Sequence, residues 1–324
     1  MTVVAGTTTT FASIGLREDL EDTIYNISPM ETPFQTRAGR SKATATYHEW
    51  QTDALASAAK NAAIQGDDAS YTTAVPTTRL RDYCQILQKT ALISGTQDAV
   101  DKAGRDTELA YQMAMRSKEL KRDLEYALVR NQVSTAAAYG ATAMMAGLES
   151  WIATNKTSVG TGTSQTTPGY ASGTVLAPTD STVAGSLTES ALKSVIQAIW
   201  TAGGDPKLFM VGPATKAKMS TSFTGLATRF SDVKGDTQAS IIAGADVYVS
   251  DFGRHEIVAN RFMRDQNVLC LDMDYWELRQ LRPLKINDLA VTGDSIRKQL
   301  IMEVTLASLN EKASGKVCDV NPAI

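Results

Sequence analysis

The chain has 324 residues, 43% hydrophobic and 21% charged, with a formal net charge of -3 at pH 7. That length exceeds one average domain and allows a sizeable core, while the balanced charge offers no basic field for gripping DNA or an anionic membrane. No apolar run reaches the roughly 18 residues of a membrane span, the first ten residues lack the regions of a signal peptide, and Cys84, Cys270 and Cys318 stand alone without CxxC spacing, which points to buried thiols in a protein made in the cytoplasm.

Met1 to Thr10 is polar and threonine-rich, with little to bury, and is expected to order only against a partner. Leu16, Leu20, Ile24 and Ile27 have helical spacing and predict a short amphipathic helix ended by Ser28-Pro29. Between Pro29 and Phe34 lies a stiff turn with two prolines, presenting Met30 and Phe34 for docking. Ala43 to Trp50 and Leu80 to Ile93 alternate and are rich in strand formers, predicting two long strands of a ribbon. The intervening stretch, Gln51 to Thr78, is rich in Ala, Asp, Ser and Thr and almost free of large apolar side chains. It cannot form a core of its own, so it is either flexible or laid across a neighbour.

Thr96 to Asn131 predicts one long amphipathic helix. Leu109, Met113, Leu120, Leu124 and Leu128 recur at three-to-four spacing or its multiples, with Ala110, Ala114 and Ala127 widening the apolar side. Arg116, Lys118, Glu119, Lys121, Arg122, Asp123 and Glu125 occupy the other faces, which should be solvated or meet another subunit. Thr96 is the expected cap, Asp98/Lys102 and Asp101/Arg105 are expected acid-to-base pairs, and Gly104 offers a break between a short turn and a main helix from Asp106.

Ala143 to Ile152 reads as a docked turn or short helix, and Asn155 to Ser186, more than half Thr, Ser and Gly, as a surface excursion that is either a mobile loop or a plain hairpin. A capping box at Ser186 to Glu189 precedes a stripe of Leu192, Val195, Ile196, Ile199 and Trp200 that ends at Gly203-Gly204. Leu208 to Val211 is a short buried strand, and Gly212-Pro213 starts a helix through Lys216 to Met219. After a glycine-punctuated stretch from Thr224 to Gly244, strands are expected near Val247–Val249, Glu256–Ala259, Val268–Leu271, Leu300–Leu306 and Lys316–Val320, the last sheet being antiparallel and packed on the long helix.

Signatures of catalysis are missing. His255 with Asp251, Glu256, Asp272 and Asp274 could be imagined as a metal or acid/base cluster, yet none has the spacing of HExxH or an EF-hand. Glu311 to Lys316 ends in Gly-Lys without the first glycine of a P-loop, and no GxSxG, GxGxxG or Cys-His signature occurs. No catalytic residue, metal ligand or cofactor is assigned.

The order of arm, proline joint at 29–34, coreless hairpin, long helix ending in Lys118 to Glu125, then Trp200 to Pro206, Ser250 to Gly253, Thr292 to Asp294 and Glu303 to Leu306, resembles the major capsid (major head) proteins of tailed double-stranded DNA bacteriophages. That resemblance implies an α+β chain with the tailed-phage major capsid protein fold. Its parts would be an N-terminal arm (1–39), an extended β-hairpin loop (40–92), a peripheral domain with a long spine helix and antiparallel sheet (93–186 and 282–324, spine 97–131), and an axial α/β domain (187–281). The implied partners are other copies of the chain in pentamers and hexamers, a portal protein and a separate scaffolding protein, with room for a decoration protein. Packaged double-stranded DNA is met by proximity only and no membrane is involved. The resemblance places the protein in the virion, after assembly in the bacterial host cytoplasm.

Candidate subunit contacts are Met30, Pro33 and Phe34 in the arm, Trp50 at the hairpin base, Arg79 and Arg81, and the spine charges Glu119, Arg122 and Asp123. The alternative for Phe34 and Trp50 is an intramolecular core position, and for the spine charges a solvated helix face. Two rival functions are an encapsulin-type nanocompartment shell and a soluble hydrolase using the acids between Asp251 and Asp274.

Overall fold

The computed structural model describes residues 28–62, 64–66, 68, 71, 73–161, 165–222 and 246–322. The threonine-rich start, the helix expected at 16–27 and the glycine-punctuated stretch at 224–244 lie outside the described residues.

The chain enters through a short helix α1 (Pro33–Arg37) and strand β1 (Gly39–Lys42). The hairpin strands are β2 (Tyr47–Thr52) and β3 (Thr78–Tyr83), after which β4 (Gln85–Ser94) begins one residue later. Leu80 to Ile93 is therefore two strands rather than one. The chain turns at buried Cys84, whose N–H donates to the Thr46 carbonyl at 2.9 Å, and β4 leaves the hairpin for another sheet.

The predicted spine is divided into α2 (Gly95–Ala99) and α3 (Glu108–Val129) by a non-helical segment in which Gly104 has φ +75°. Twenty-two residues give α3 a length of about 33 Å. Ser94, rather than Thr96, caps α2 by accepting from the Gln97 N–H, and Asp98 reaches across the break to accept from the Glu108 N–H at 3.1 Å. Arg105 pairs with Glu108 instead of Asp101, and Lys102 donates to the Asp98 carbonyl rather than its carboxylate. Burial of the stripe is complete at Leu120, Leu124, Ala127 and Leu128, while Leu109 and Met113 are half-buried and Ala110 and Ala114 are exposed.

Past α3, Gly147 and the buried α4 (Leu148–Trp151) close against its carboxyl end, the Gly147 N–H donating to the Gln132 carbonyl at 3.0 Å. The expected surface excursion is partly built in: β5 (Lys156–Ser158) joins the main sheet, β6 (Gly169–Ala171) and β7 (Thr174–Leu176) form a small hairpin, and Val175 is buried. Next come α5 (Glu189–Ala202), β8 (Leu208–Val211), α6 (Pro213–Ser222), β9 (Val247–Ser250), β10 (Gly253–Ala259) and β11 (Val268–Leu271). The hydroxyl capping α5 belongs to Thr188, not Ser186, and Gly203 ends the helix at φ +95°. Trp200 leaves the expected stripe: it is exposed, with its ring 5.4 Å from that of Phe252.

Strands β12 (Trp276–Asp288) and β13 (Ser295–Ser308) form the longest ribbon, and β14 (Gly315–Cys318) ends the elements. The register of β12 against β13 shifts twice between Gln280 and Lys285, around Pro283, which has no N–H to give the ladder. One sheet has the order β1-β12-β13-β4, antiparallel except at β1, and packs on α3 as expected. The other is β5-β14-β11-β8-β10-β9, so the last strand belongs there rather than beside β13.

Two cores lie on the two faces of this six-stranded sheet. Leu208, Met210, Leu269 and Leu271 join the core under α3, whereas Phe209, Val211, Val268 and Cys270 join the core under α5. A run of four consecutive buried apolar residues is what a strand covered on both faces requires. The boundary expected between 281 and 282 falls inside β12.

Candidate assembly interface

The joint at the start of the described chain is built on a buried carboxylate. Pro33 occupies the first turn of α1, where no N–H is needed, and the next two amides, of Phe34 and Gln35, donate to the two oxygens of Glu125 at 2.9 and 3.0 Å. Asn260 adds a third bond at 2.7 Å, and its own oxygen accepts from the Phe262 N–H. Burial pushes the Glu125 carboxyl up from its ordinary value, against the pull of these donors. Glu125, expected on a solvated face, is thus the anchor of the joint. Phe34 is fully buried, its ring edge-on to Trp276 at 6.5 Å, and is core rather than contact surface. Met30 is 54% exposed and Pro33 half-exposed.

The hairpin base is held in a similar way. Asp82 is buried; its carboxylate accepts from the Ser134 hydroxyl at 2.7 Å, the Tyr83 N–H at 2.9 Å and the Ala146 N–H at 3.0 Å, and burial pushes it up to about 7. Trp50 and Leu80 face each other across the strands and pack on the core, Trp50 lying 5.4 Å from Trp151 and 5.7 Å from His48. Trp50 is therefore an internal prop for the hairpin. Arg81 donates to the Gly173 carbonyl at 2.8 Å, and exposed Arg79 pairs with Glu49. Beyond this base, Leu55, Ile64, Tyr71 and Val75 stand in water at 100, 76, 97 and 83% exposure. The outer hairpin carries an apolar set that no side chain among the described residues covers.

Spine charges divide into two flanks. On one, Asp123 and Glu119 face Lys89 of β4 at 2.7 and 4.0 Å, and Glu119 also binds Arg116. On the other, the Arg122 guanidinium lies 5.9 Å over the Phe262 ring, and exposed Lys118 and Lys121 meet no carboxylate among the described residues. At the far end of the β12–β13 ribbon, Leu284, Ile286, Leu289 and Val291 are exposed. A shallow apolar cleft there, lined by Leu109, Met113 and Ile286, separates the ribbon from the start of α3.

The acids imagined as an active site do not converge. Glu256 points outward to Arg37 at 2.6 Å, and Asp272 accepts from the amides of Asp205 and Asp274. His255 is buried against Phe209, its Nδ1 2.5 Å from the Pro206 carbonyl and its Nε2 2.6 Å from the Ser250 hydroxyl. Among the described residues no three His, Cys, Asp or Glu side chains are placed to hold a metal ion, and no helix is long and apolar enough to cross a membrane.

Residues 3–321 match the family described as SU10 major capsid protein. The chain is 28% identical, over 320 aligned positions covering 89% of it and 90% of the relative, to the major capsid protein of Escherichia phage Phieco32. Its fold is similar to a chain of the cyanophage A-1(L) capsid asymmetric unit, with a TM-score of 0.64 at 13% identity, covering 96% of this chain and 98% of that one. It also resembles the SrpI encapsulin of Synechococcus elongatus PCC 7942, with a TM-score of 0.60 at 9% identity and the same coverage.

Proposed function

Because this chain belongs to the SU10 major capsid protein family, we infer that it is the structural protein of a phage head, closing into a shell of pentamers and hexamers around double-stranded DNA. The observation that supports this reading is the outer hairpin, whose Leu55, Ile64, Tyr71 and Val75 are left uncovered by the described residues and would gain burial against another copy. Residues 40–92 then act as the extended loop, 93–186 and 282–324 as the peripheral unit, and 187–281 as the axial unit that meets its copies around symmetry axes. Met30, Pro33, Arg79 and Arg122 remain contact residues on this reading. Portal and scaffolding proteins join during assembly in the host cytoplasm, and the DNA is enclosed rather than gripped. A structural role also accounts for two of the acids near His255, since Asp272 accepts the amides of Asp205 and Asp274 and Glu256 pairs with Arg37.

The encapsulin reading rests on fold alone, at 9% identity, whereas the family match and the 28% identical relative both carry a phage capsid description. Expression of the chain alone and with the neighbouring genes of its source genome, followed by light scattering and electron microscopy, tests the proposal. Closed shells or pentamer and hexamer rings are expected, and a stable monomer under both conditions overturns it.

A further inference from the structure

The outer face of α3 and the strand that follows α1 carry one cationic surface. Lys118 and Lys121 are exposed and, being three residues apart, are neighbours on the helix. On β1, Arg40 and Lys42 are exposed and, two residues apart in a strand, point to the same side. Gln35 joins the two pairs: its side-chain amide donates to the Lys121 carbonyl at 2.7 Å, and its own carbonyl lies 3.4 Å from the Arg40 guanidinium.

No carboxylate among the described residues pairs with any of these four cations. The acids around them are engaged elsewhere. Glu125, one helical turn from Lys121, is buried and takes the amides of Phe34 and Gln35. Glu31 lies 4.0 Å from Arg261, Glu256 2.6 Å from Arg37 and Glu277 2.6 Å from Arg279. Arg122 is held over the Phe262 ring and is not counted with the four. A local positive surplus therefore stands on a chain whose net charge is -3.

The surroundings distinguish the kinds of polyanion that fit. No large apolar side chain stands exposed between residues 35 and 43 or between 108 and 122. A protein partner is held by an apolar centre that loses its water, whereas surfaces that meet nucleic acid are polar, strongly positive and wet. We propose that Lys118, Lys121, Arg40 and Lys42 contact the phosphate backbone of the packaged double-stranded DNA. The inference rests on the capsid reading above, which supplies the DNA. Four phosphate contacts give a weak hold without sequence preference, so the DNA is touched at this surface while remaining enclosed rather than gripped.

Fluorescence anisotropy of a short labelled duplex with the unassembled full-length chain tests this. Counterion release at four phosphates predicts that affinity falls on the order of a hundredfold between about 50 and 200 mM salt. Arg40→Glu, Lys118→Glu and Lys121→Glu together should weaken binding about tenfold or more at the lower salt. The milder pair Lys118→Gln and Lys121→Gln should reduce the slope of log affinity against log salt by about 1.8. Lys60→Glu, Lys285→Glu and Lys312→Glu, the same charge change at exposed cations elsewhere, should bind as wild type does. No binding by wild type, equal binding by the patch variants, or equal loss in the control set overturns the inference. So does a polyglutamate peptide that binds more tightly than the duplex, which assigns the surface to an acidic protein segment. Loss of the capsid reading is separately visible: a chain that binds the duplex through these residues but never assembles keeps the surface and loses the shell, whereas closed shells from a chain that ignores the duplex do the reverse.

Discussion

Glu125 accepts the amide of Phe34 at 2.9 Å across 91 residues of sequence, and this bond fixes where the incoming chain meets the spine. Its second oxygen takes the Gln35 amide, and Asn260 ties the same carboxylate to the six-stranded sheet. Replacing Glu125 by Leu leaves three donors buried and unpaired. Each such loss costs about 1–3 kcal/mol, so the variant should unfold at clearly lower urea concentration than wild type. Glu125→Gln, which keeps one oxygen, should fall between the two. Equal midpoints for all three proteins would remove Glu125 from its role as anchor.

Asp82 gives the hairpin base a pH dependence. Its carboxyl is raised to about 7 in the folded chain, against about 3.9 when unfolded. Between these values the folded state holds a proton that the unfolded state has lost. This contribution is therefore fully favourable below about pH 4 and is lost as pH rises through 7. Asp82→Asn keeps an acceptor for Ser134, Tyr83 and Ala146 but cannot ionise. The difference in unfolding free energy between pH 5 and pH 8 should shrink in the variant by on the order of a few kcal/mol. Urea titration of the unassembled protein at the two pH values measures it, and an unchanged difference contradicts the assignment.

Much of the fold is legible in the residues because local and tertiary preferences coincide. The stripe of α5 from Leu192 to Ile199, with its terminal Gly203, and the continuous apolar runs of β8 and β11 lie where expected. The anchors are not legible. Glu125 and Asp82 stand among other charged residues, and only the distant backbone amides that meet them make them internal. β12 is concealed by Pro283 and by the charged residues of its exposed half, and the turn at Cys84 by an alternation that runs through it unbroken. Of the proposed contact residues, Phe34 and Trp50 turn inward because aromatic surface near a large core is buried there first.

Gly147 lies close against the backbone at the carboxyl end of α3. Its φ of -85° suits any residue, but a Cβ there would meet the Arg130 carbonyl and lie 3.2 Å from the Ala127 carbonyl oxygen. Backbone on both sides of the contact cannot rotate away as a side chain would. Gly147→Ala should destabilise the chain by about 2 kcal/mol or more, seen as a lower thermal midpoint. An unaltered midpoint would mean that the end of α3 yields freely.

The outer hairpin separates folding from assembly. Leu55, Tyr71 and Val75 are so exposed that changing all three to Ser removes little packing against the described residues. Surface changes of this kind usually move stability by no more than about 0.5 kcal/mol each. If these side chains are covered only by a neighbouring copy, the triple variant should unfold at the same urea concentration as wild type yet fail to form closed particles in light scattering and electron microscopy. Wild-type particles from the triple variant would show that the hairpin tip contributes no apolar contact to the shell, and would shift the assembly surface to the exposed end of the β12–β13 ribbon, where Leu284, Ile286, Leu289 and Val291 provide the next apolar set.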